Sequence, residues 1–475
     1  MMYYRLLPWI ILLLLSACTA PRHVSVLIQM TPTQEQYFRK TIIPPFEKAN
    51  RCSVTVRAYP DAVALPESLQ TDPGRCILVK TPFEQTRRLK ETGLLMAIDS
   101  ASGGQNGLRD PFLLLDLATF DNTLYYLPRK FETRIMVYLK SKVRDAVLHW
   151  GDKMDEIDSV LKLVNREGLP QAYVLEENPN QWDYYDLFVV GYYWSRREPG
   201  RITPKIVHRG KRYSGTVQTL VDRIYQLGGD NRAVLQMQGA SVTDMFQWEA
   251  FNIFAQVYNP AMWRDSLSGA GIWTAFKNGE AYLSFMTQLD CFTLHGDYSA
   301  DRPGYVSDPD DLGYALLPQG VSLELDGTKV PLRQGGRSVS TGGWWWGIPK
   351  TTPDPALSVK LIEWISSPEV HTEESARFGM IPVRKDVLGD IGLLFGKGWI
   401  TDVYETSFKQ LLENQYTILP RVTNYHELEL VYLDAWYDIA VSGGADRAQP
   451  FNWHAIHARL DSVYQSKVRA IPGLL

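Results

Sequence analysis

The chain has 475 residues, with 49 Lys and Arg against 53 Asp and Glu, so its formal net charge is −4. Hydrophobic residues make up 45% and charged residues 21%, which is typical of a globular protein and excludes a disordered chain, a collagen and a coiled coil. The excess of acidic over basic residues argues against a nucleic-acid partner. Four cysteines are too few for a disulfide scaffold. The length predicts two or three domains.

The N-terminus has the features of an export signal. Arg5 precedes an apolar run that is too short to span a bilayer comfortably. The sequence LSAC at 15–18 follows and resembles the bacterial lipobox, in which the cysteine becomes the lipidated first residue. We therefore expect a signal peptide at 1–17, lipidation of Cys18 and a tether at 18–23. The alternative is an ordinary signal peptide with an incidental cysteine.

The next part of the chain alternates predicted strands and helices. Thr33 and Gln36 have capping-box spacing, which predicts a helix that begins at Thr33, and Pro44-Pro45 should kink it near its end. A further helix is expected at 83–93. β-rich runs predict strands at 24–30, 53–59 and 76–79. This alternation predicts an α/β fold with a parallel sheet covered by helices.

The remainder of the chain is mostly helical. Residues 150–290 are rich in aromatic side chains, the Gly-punctuated segment 319–340 predicts a hairpin, and 357–366 predicts a helix. Common catalytic motifs, including GxSxG, HExxH, the P-loop and GxGxxG, are absent from the sequence. His454 and His457 share a helical spacing, but a solvated helix surface explains them better than a metal site does. We expect no metal and no cofactor.

Six segments, in this order, resemble the extracellular solute-binding proteins of ABC importers, in particular the sugar-binding group that includes maltose-binding protein. They are 24–50, with IPPFE at 43–47; TGLLMAID at 92–99; LYYLP at 124–128 followed by MVY at 136–138; WTAFKNGEA at 273–281; GGW at 342–344 leading into IPK at 348–350; and FGMIPVR at 378–384. The resemblance covers nearly the whole chain after the signal. Departures at 80–83, 139–140 and 149–152 affect the ligand's identity more than the fold.

The resemblance implies an α/β, two-lobe periplasmic-binding-protein fold of type II, with a hinge between discontinuous lobes. Lobe 1 is expected at 24–134 with 318–372, and lobe 2 at 135–317 with 373–475. The chain would cross between them near 134–137, 317–318 and 373–379. A ligand that bridges both lobes stabilises the closed form, which docks the permease.

The implied function is binding of a sugar or oligosaccharide in the bacterial cell envelope and its delivery to an ABC importer, without enzymatic turnover. The implied partners are a small carbohydrate ligand, ABC permease subunits and the membrane, which the N-terminal lipid would contact. We expect the protein to be a monomer and to bind no nucleic acid. Two alternatives stay open: an envelope sensor that presents its closed form to a receptor or histidine kinase, and a carbohydrate-active enzyme.

The ligand-binding candidates lie at strand ends and near the expected crossings. They are Thr33, Gln34, Thr81, Phe83, Phe131, Glu132, Trp182, Trp248, Thr287, Gln288, Gly343, Trp344 and Arg384. Thr33 and Gln34 either bind a ligand hydroxyl or only cap a helix. Trp182 and Trp248 are either sugar platforms or core residues, and Arg384 either reaches the ligand or braces the hinge.

Three consecutive tryptophans, 344–346, follow two glycines. In a strand, Trp344 and Trp346 point to one face and Trp345 to the other, so the three rings cannot share one role. Glycine at 343 would let the backbone approach a ligand closely. We expect Trp344 to lay a ring face against the ligand, and at least one of the other two rings to pack in a lobe interior.

Cys52 and Cys76 are expected to be mostly unpaired, although the compartment permits a disulfide. They begin the second and third strands, which in the family's sheet flank the first strand. That separation is about 9–10 Å, whereas a disulfide needs Cα atoms within about 7 Å.

Overall fold

The computed structural model describes residues 22–474 except 63, 72–73, 103–107, 297–303, 390–397, 415, 421, 446–451 and 453. The expected signal peptide and Cys18 lie outside the described residues. The chain divides into two compact units. Unit 1 contains the described residues up to Pro82, with 89–128 and 344–370; unit 2 contains 83–88, 129–343 and the chain from His371 onward.

The strands are β1 Arg22–Ile28, β2 Cys52–Ala58, β3 Cys76–Pro82, β4 Leu95–Met96, β5 Thr119–Phe120, β6 Thr123–Leu124, β7 Tyr126–Lys130, β8 Ile135–Leu139, β9 Leu283–Met286, β10 Leu312–Ala315, β11 Ser340–Thr341, β12 Trp344–Pro349 and β13 Thr417–Ile418. The α-helices are α1 Pro32–Tyr37, α2 Ile43–Asn50, α3 Leu65–Gln70, α4 Thr86–Glu91, α5 Ile98–Ala101, α6 Lys140–His149, α7 Met154–Asn165, α8 Tyr184–Ser195, α9 Ser214–Gln226, α10 Asn231–Gln236, α11 Ala240–Phe254, α12 Ala261–Arg264, α13 Gly269–Lys277, α14 Gln288–His295, α15 Pro355–Ile365, α16 Pro368–Phe378, α17 Lys385–Gly389, α18 Trp399–Phe408, α19 Tyr425–Ala435, α20 Ser442–Ala445 and α21 His454–Ser466.

Unit 1 is built on a mixed sheet in the order β2-β1-β3-β12-β4, with β7 also paired to β12. β1 runs parallel to β2 and β3, whereas β12 is antiparallel to β3 and β4. The expected parallel core is therefore present, and β12 is inserted beside it in the opposite direction. The carboxyl edge of this sheet is the edge at which the parallel strands β1 and β3 end. Because β12 runs in the opposite direction, it begins at this same edge.

The helix after β1 begins two residues earlier than expected. Thr31, not Thr33, is the N-cap, and it forms a reciprocal capping box with Gln34. Pro44 and Pro45 fall at the start of α2, after a π-helical turn at Phe38–Ile42. The wide turn accommodates the ring and the missing N–H of the prolines, so the helical path continues to Asn50.

The two cysteines of the sheet lie as expected on either side of β1. Cys52 is opposite Arg22 and Cys76 is opposite Ser25. Their thiols are therefore two strand spacings apart and offset along β1, and no bond joins them among the described cysteines. That they stay unpaired in the exported protein is still a prediction.

Unit 2 has a helical, aromatic core beside a small antiparallel sheet in the order β10-β8-β9. Every residue of α8 is buried, and almost all of α11. Their aromatic side chains surround Trp248, whose ring centroid lies 5.3–6.4 Å from those of Tyr184, Tyr185, Phe188 and Phe251. The expectation of a helical and aromatic middle region is confirmed.

Residues 318–343, expected in lobe 1, belong to unit 2. They include the hairpin predicted at 319–340, with antiparallel bridges Val321–Gln334 and Leu325–Pro331. The hairpin is fixed by long-range contacts: the Trp248 indole donates to the Val321 carbonyl oxygen at 2.7 Å, and Arg333 pairs with buried Asp244. The boundary between units that lies nearest the expected crossing at 134–137 is between Pro128 and Arg129, and the one nearest the expected crossing at 317–318 is between Gly343 and Trp344.

Within the described ranges, every helix is too short or too polar to cross a membrane.

Candidate functional site

The carboxyl edge of the unit 1 sheet gathers side chains from several strands. Trp344, the first residue of β12, is paired with Pro82, the last residue of β3. The Tyr59 hydroxyl, just after β2, donates to the Lys80 carbonyl oxygen at 2.7 Å. In α/β sheets this edge is where ligands bind, because strand ends and helix N-termini meet there.

The three tryptophans differ in burial. Trp345 and Trp346 are fully buried, and Trp346 stacks on Phe38 with a centroid distance of 5.8 Å. Trp344 is only half-buried. The expectation that at least one ring packs in the interior is confirmed, and contact of Trp344 with a ligand is still a prediction.

Lys80 shapes the face of Trp344. Its Nζ lies 3.4 Å from the centroid of the Trp344 ring and donates to the Gln29 carbonyl oxygen. The ammonium group therefore covers one ring face by a cation–π contact and holds the indole in place. Lys80 is part of the departure from the family pattern at 80–83, and the structure shows that it belongs to this edge.

Two polar candidates at the edge of unit 1 have atoms without a partner. Gln34 is 3% exposed and Thr81 is fully buried, yet Gln34 Nε2 and Thr81 Oγ1 make no hydrogen bond to the described residues. A buried donor left unpaired costs about 1–3 kcal/mol, so a polar partner is expected for each. Thr33, by contrast, is a half-buried residue in the first turn of α1.

Gly343 has a structural explanation that the sequence did not reveal. Its φ is +98°, and a Cβ there would collide with the Lys130 carbonyl oxygen. The close approach that requires glycine is therefore to the protein's own backbone, and contact of Gly343 with a ligand stays a prediction. Phe83 is 1% exposed beside Gly342, and its N–H donates to the Gly343 carbonyl oxygen at 3.1 Å.

Phe131 and Glu132 lie in the segment that enters unit 2. Phe131 is buried and pairs with Ile381, with its N–H 3.4 Å from the Ile381 carbonyl oxygen. The Glu132 carboxylate is about one-third exposed and lies 2.5 Å from Lys130 Nζ. Of this pair, only Glu132 offers an accessible polar group.

Thr287 and Gln288 follow β9 as expected, but both are tied into unit 2. The Thr287 hydroxyl donates to Asp290 at 2.8 Å in a capping box at the start of α14. The Gln288 amide accepts from Thr133 N–H at 3.4 Å and donates to the Ser407 hydroxyl at 2.8 Å. These bonds position the residues, and a contact with ligand stays a prediction.

Trp182 and Trp248 are core residues. Both are at most 1% exposed, and each indole N–H donates to a backbone oxygen of unit 2, that of Glu176 or Val321, at 2.7 Å. A sugar platform needs an open ring face, so the platform interpretation is wrong for these two residues.

Arg384 makes a bidentate pair with Asp386, at 2.9 and 2.6 Å. Its side chain is 12% exposed. This local pair agrees with a bracing role for Arg384.

Sequence reasoning missed an acidic cluster in unit 2. Burial raises the pKa of Glu84 to about 7, and the nearby Glu429 and Glu132 carboxylates add to the rise. These residues lie more than 40 and nearly 350 positions from Glu84. The only available signal was a glutamate directly after the buried Pro82-Phe83 pair, which does not identify its neighbours.

Buried ion pairs fix the segments of unit 2 that lie next to its boundaries. Arg129 is 2.5 Å from Glu374, and both side chains are at most 3% exposed. Arg134 makes a two-pronged contact with Asp222, which also accepts from the Ser340 N–H and hydroxyl at 2.7 and 2.6 Å. Arg134 of the entering segment and Ser340 of the leaving segment are thereby held to one helix, α9, and Arg129 is held to α16.

The sequence of the chain matches one family model over residues 41–392, that of the bacterial extracellular solute-binding proteins. The chain belongs to this family. Its members are binding proteins and not enzymes, and the family is an extracytoplasmic one. The resemblance inferred from the six segments is thus confirmed. Comparison of the sequence with curated proteins finds no match.

Solved structures share the fold of this solute-binding protein at low sequence identity. Maltose-bound MalE3 of T. maritima has a TM-score of 0.65 at 16% identity, over 94% of this chain and 100% of that one. An ABC substrate-binding protein of Listeria monocytogenes in complex with cycloalternan has a TM-score of 0.66 at 12% identity, over 94% and 99%. A solute-binding protein of Agrobacterium radiobacter K84 in complex with ribitol has a TM-score of 0.63 at 15% identity, over 95% and 100%. The α/β, maltose-binding-protein-like fold is therefore confirmed.

Proposed function

We propose that this protein binds an extracytoplasmic sugar, oligosaccharide or polyol and delivers it to an ABC importer by closure of its two lobes, from a lipid anchor at Cys18. The observation that carries the proposal is the carboxyl edge of the unit 1 sheet. There, a half-buried tryptophan lies beside the end of β3 and two buried polar side chains, Gln34 and Thr81, have unpartnered atoms.

These groups suit a sugar for physical reasons. A pyranose has apolar C–H faces that stack on an indole, and hydroxyl groups that both donate and accept hydrogen bonds. Gln34 Nε2 can donate to a hydroxyl oxygen, and the Thr81 hydroxyl can donate or accept. The ligands of the three structural neighbours are maltose, cycloalternan and ribitol, two sugars and an acyclic polyol, and all three offer hydroxyl groups of this kind.

The first experiment is a thermal-shift panel on the exported chain, beginning at residue 18 with Cys18→Ser to keep the protein free of lipid. The panel contains maltose, maltotriose, cycloalternan, ribitol and matched amino acids. A bound solute raises the stability by about 2.7 kcal/mol at 100 times its Kd. A shift with sugars or polyols alone supports the proposal, and a shift with amino acids alone contradicts it.

Delivery is tested in cells of the source bacterium. Deletion of the gene should abolish uptake of the radiolabelled solute that the panel identifies, and re-expression should restore it. Normal uptake in the deletion strain, with loss of a transcriptional response to the solute, would instead favour the sensor. The lipid anchor is tested by labelling cells with a palmitate analogue. The wild-type protein should carry the label, and the Cys18→Ser variant should not.

A further inference from the structure

A small cavity inside unit 2 is lined in part by Arg223, whose guanidinium has an unused hydrogen-bond donor. Its apolar lining includes Phe285 and Leu317, and its polar lining comes from Arg134, Tyr184, Thr219, Asp222, Arg223 and Gln226. The free space is on the order of one water molecule, so the cavity takes one small group and not a whole sugar.

The unused donor belongs to Arg223. Its side chain is 6% exposed, and its Nη1 donates to the Glu249 carboxylate and to the Tyr258 hydroxyl, the latter at 2.7 Å. Arg223 Nη2 has no hydrogen-bond partner among the described residues. A buried guanidinium N–H that has lost water and gained no acceptor is unfavourable, so an acceptor atom belongs at this position.

The other polar groups of the wall do not supply that acceptor. The Asp222 carboxylate already accepts from Arg134 and from the Ser340 N–H and hydroxyl. The Gln226 amide oxygen accepts from the Tyr184 hydroxyl at 2.7 Å. The acceptor must therefore come from outside the wall.

The charges of the wall decide what kind of acceptor fits. Arg134 is paired with Asp222, and Arg223 is paired with Glu249, so the cations and carboxylates balance. A carboxylate or phosphate would bring an unmatched charge into a buried site, which is unfavourable. An uncharged oxygen, such as that of a hydroxyl or hydroxymethyl group, needs no counter-charge.

We propose that this cavity is a terminal subsite that takes one hydroxymethyl or hydroxyl group of a neutral sugar or polyol, with its oxygen accepting from Arg223 Nη2. The inference rests on the proposed function, because the group that it places in this cavity of unit 2 belongs to the solute of that function. It also makes the protein selective for neutral solutes over the corresponding sugar acids and sugar phosphates.

The direct test is crystallography of the chain from residue 18 (Cys18→Ser), with crystals grown without polyols and then equilibrated with ribitol or with maltose. A hydroxyl oxygen of either solute within 3.2 Å of Arg223 Nη2, a hydrogen-bond distance, supports the inference. A solute bound elsewhere, with only an ordered water on Nη2, overturns the inference and leaves the proposed function intact. If no solute of the thermal-shift panel binds, the proposed function falls, and the inference falls with it.

A matched pair of variants gives a solution test. Thr219 lines the cavity, and its hydroxyl donates to the Gly215 carbonyl oxygen of its own helix at 3.1 Å. Thr293 makes the same kind of bond, to Leu289 at 2.8 Å, but does not line the cavity. Thr219→Leu fills the cavity and should raise the Kd for the solute at least about tenfold, whereas Thr293→Leu should not.

Both variants are compared by calorimetric titration, with circular dichroism and the solute-free melting temperature as checks on folding. Equal affinity of a folded Thr219→Leu protein and the wild type would overturn the inference. If Thr219→Leu does not fold, the test is made on the wild type, by comparing its affinity for a neutral solute with that for the corresponding sugar acid. Equal affinity for glucose and glucuronate, or for ribitol and ribonate, contradicts a subsite for a neutral group.

Discussion

Unit 1 and unit 2 bury polar side chains in different ways. At the carboxyl edge of the unit 1 sheet, Gln34 Nε2 and Thr81 Oγ1 are buried without a partner. In unit 2, the buried charges of Arg129, Arg134 and Arg223 each face a carboxylate. The difference indicates that the buried charges of unit 2 mainly hold its own segments together, whereas the uncharged groups at this edge of unit 1 keep hydrogen-bonding capacity for a solute, as Arg223 Nη2 does in unit 2.

The largest expected effect is on the charge network of unit 2. Glu249 is fully buried and accepts from Arg223 and from the Trp436 indole at 2.8 Å. Glu249→Ala leaves Arg223 buried and unpaired, so the free energy of unfolding should fall by about 3–5 kcal/mol in urea titrations. Asp434→Ala, which breaks a surface pair with Arg212, should cost less than about 1 kcal/mol. Equal costs would show that the buried network is not structural.

The same network predicts an acid dependence. Burial alone would raise the pKa of Glu249, but Arg223 and His208 lower it to about 2, below its ordinary value of 4.5. The stability that Glu249 contributes is therefore present above about pH 4.5 and is lost as the pH falls toward 2. The wild type should lose more stability than Glu249→Gln over that interval.

Trp346 should behave as a core residue of unit 1. Its ring is 1% exposed and stacks on Phe38, so Trp346→Ala should lower the free energy of unfolding by about 3–5 kcal/mol. The protein that remains folded should bind solute with nearly normal affinity. A large loss of affinity without a loss of stability would place Trp346, and not Trp344, at the binding surface.

Gly343 should resist substitution for a backbone reason. Gly343→Ala forces a Cβ into the left-handed region and against the Lys130 carbonyl oxygen, which should cost at least about 1–3 kcal/mol of stability. Gly336 has open space around its Cα, so Gly336→Ala should change the stability by less than about 1 kcal/mol. Similar melting temperatures for the two variants would contradict the close contact.

An effect that depends on pH is expected at Glu84. Because the pKa of Glu84 is about 7 in the folded protein, above its ordinary value of 4.5, its ionisation costs folding free energy as the pH rises through that interval. Glu84→Gln should therefore raise the melting temperature at pH 8 and leave it unchanged at pH 4. Glu67→Gln, on the exposed surface of α3, should do neither. A pH-independent effect of Glu84→Gln would contradict the raised pKa.

These contrasts also show which parts could be predicted from the sequence. That at least one of Trp345 and Trp346 packs in the interior was predicted from the sequence, and the positions of Cys52 and Cys76 followed from the family's strand order. The start of α1 was misplaced because Thr31–Gln34 and Thr33–Gln36 have the same spacing; Pro32, favoured at the first helical position, selects Thr31.

Other features depend on contacts between distant residues, which spacing does not reveal. The segment 318–343 lies in unit 2, although we expected it in lobe 1, because Asp244 and Trp248, which hold its hairpin, are about 75–90 positions away. Trp182 and Trp248 were platform candidates because sequence does not show that their ring faces are covered. Glu84 was missed because its neighbours come from two remote segments.

The central claim, that the carboxyl edge of the unit 1 sheet binds a sugar or polyol, is tested most directly by calorimetric titration of Trp344→Ala beside the wild type. The solute is the one that gives the largest shift in the panel, and the solute-free melting temperature is measured on the same samples. Because a half-buried ring is removed from the binding surface, affinity should fall by about 1–3 kcal/mol, or roughly 5- to 150-fold, with little change in melting temperature. Unchanged affinity together with a melting temperature lowered as in Trp346→Ala would make Trp344 a core residue and contradict the account.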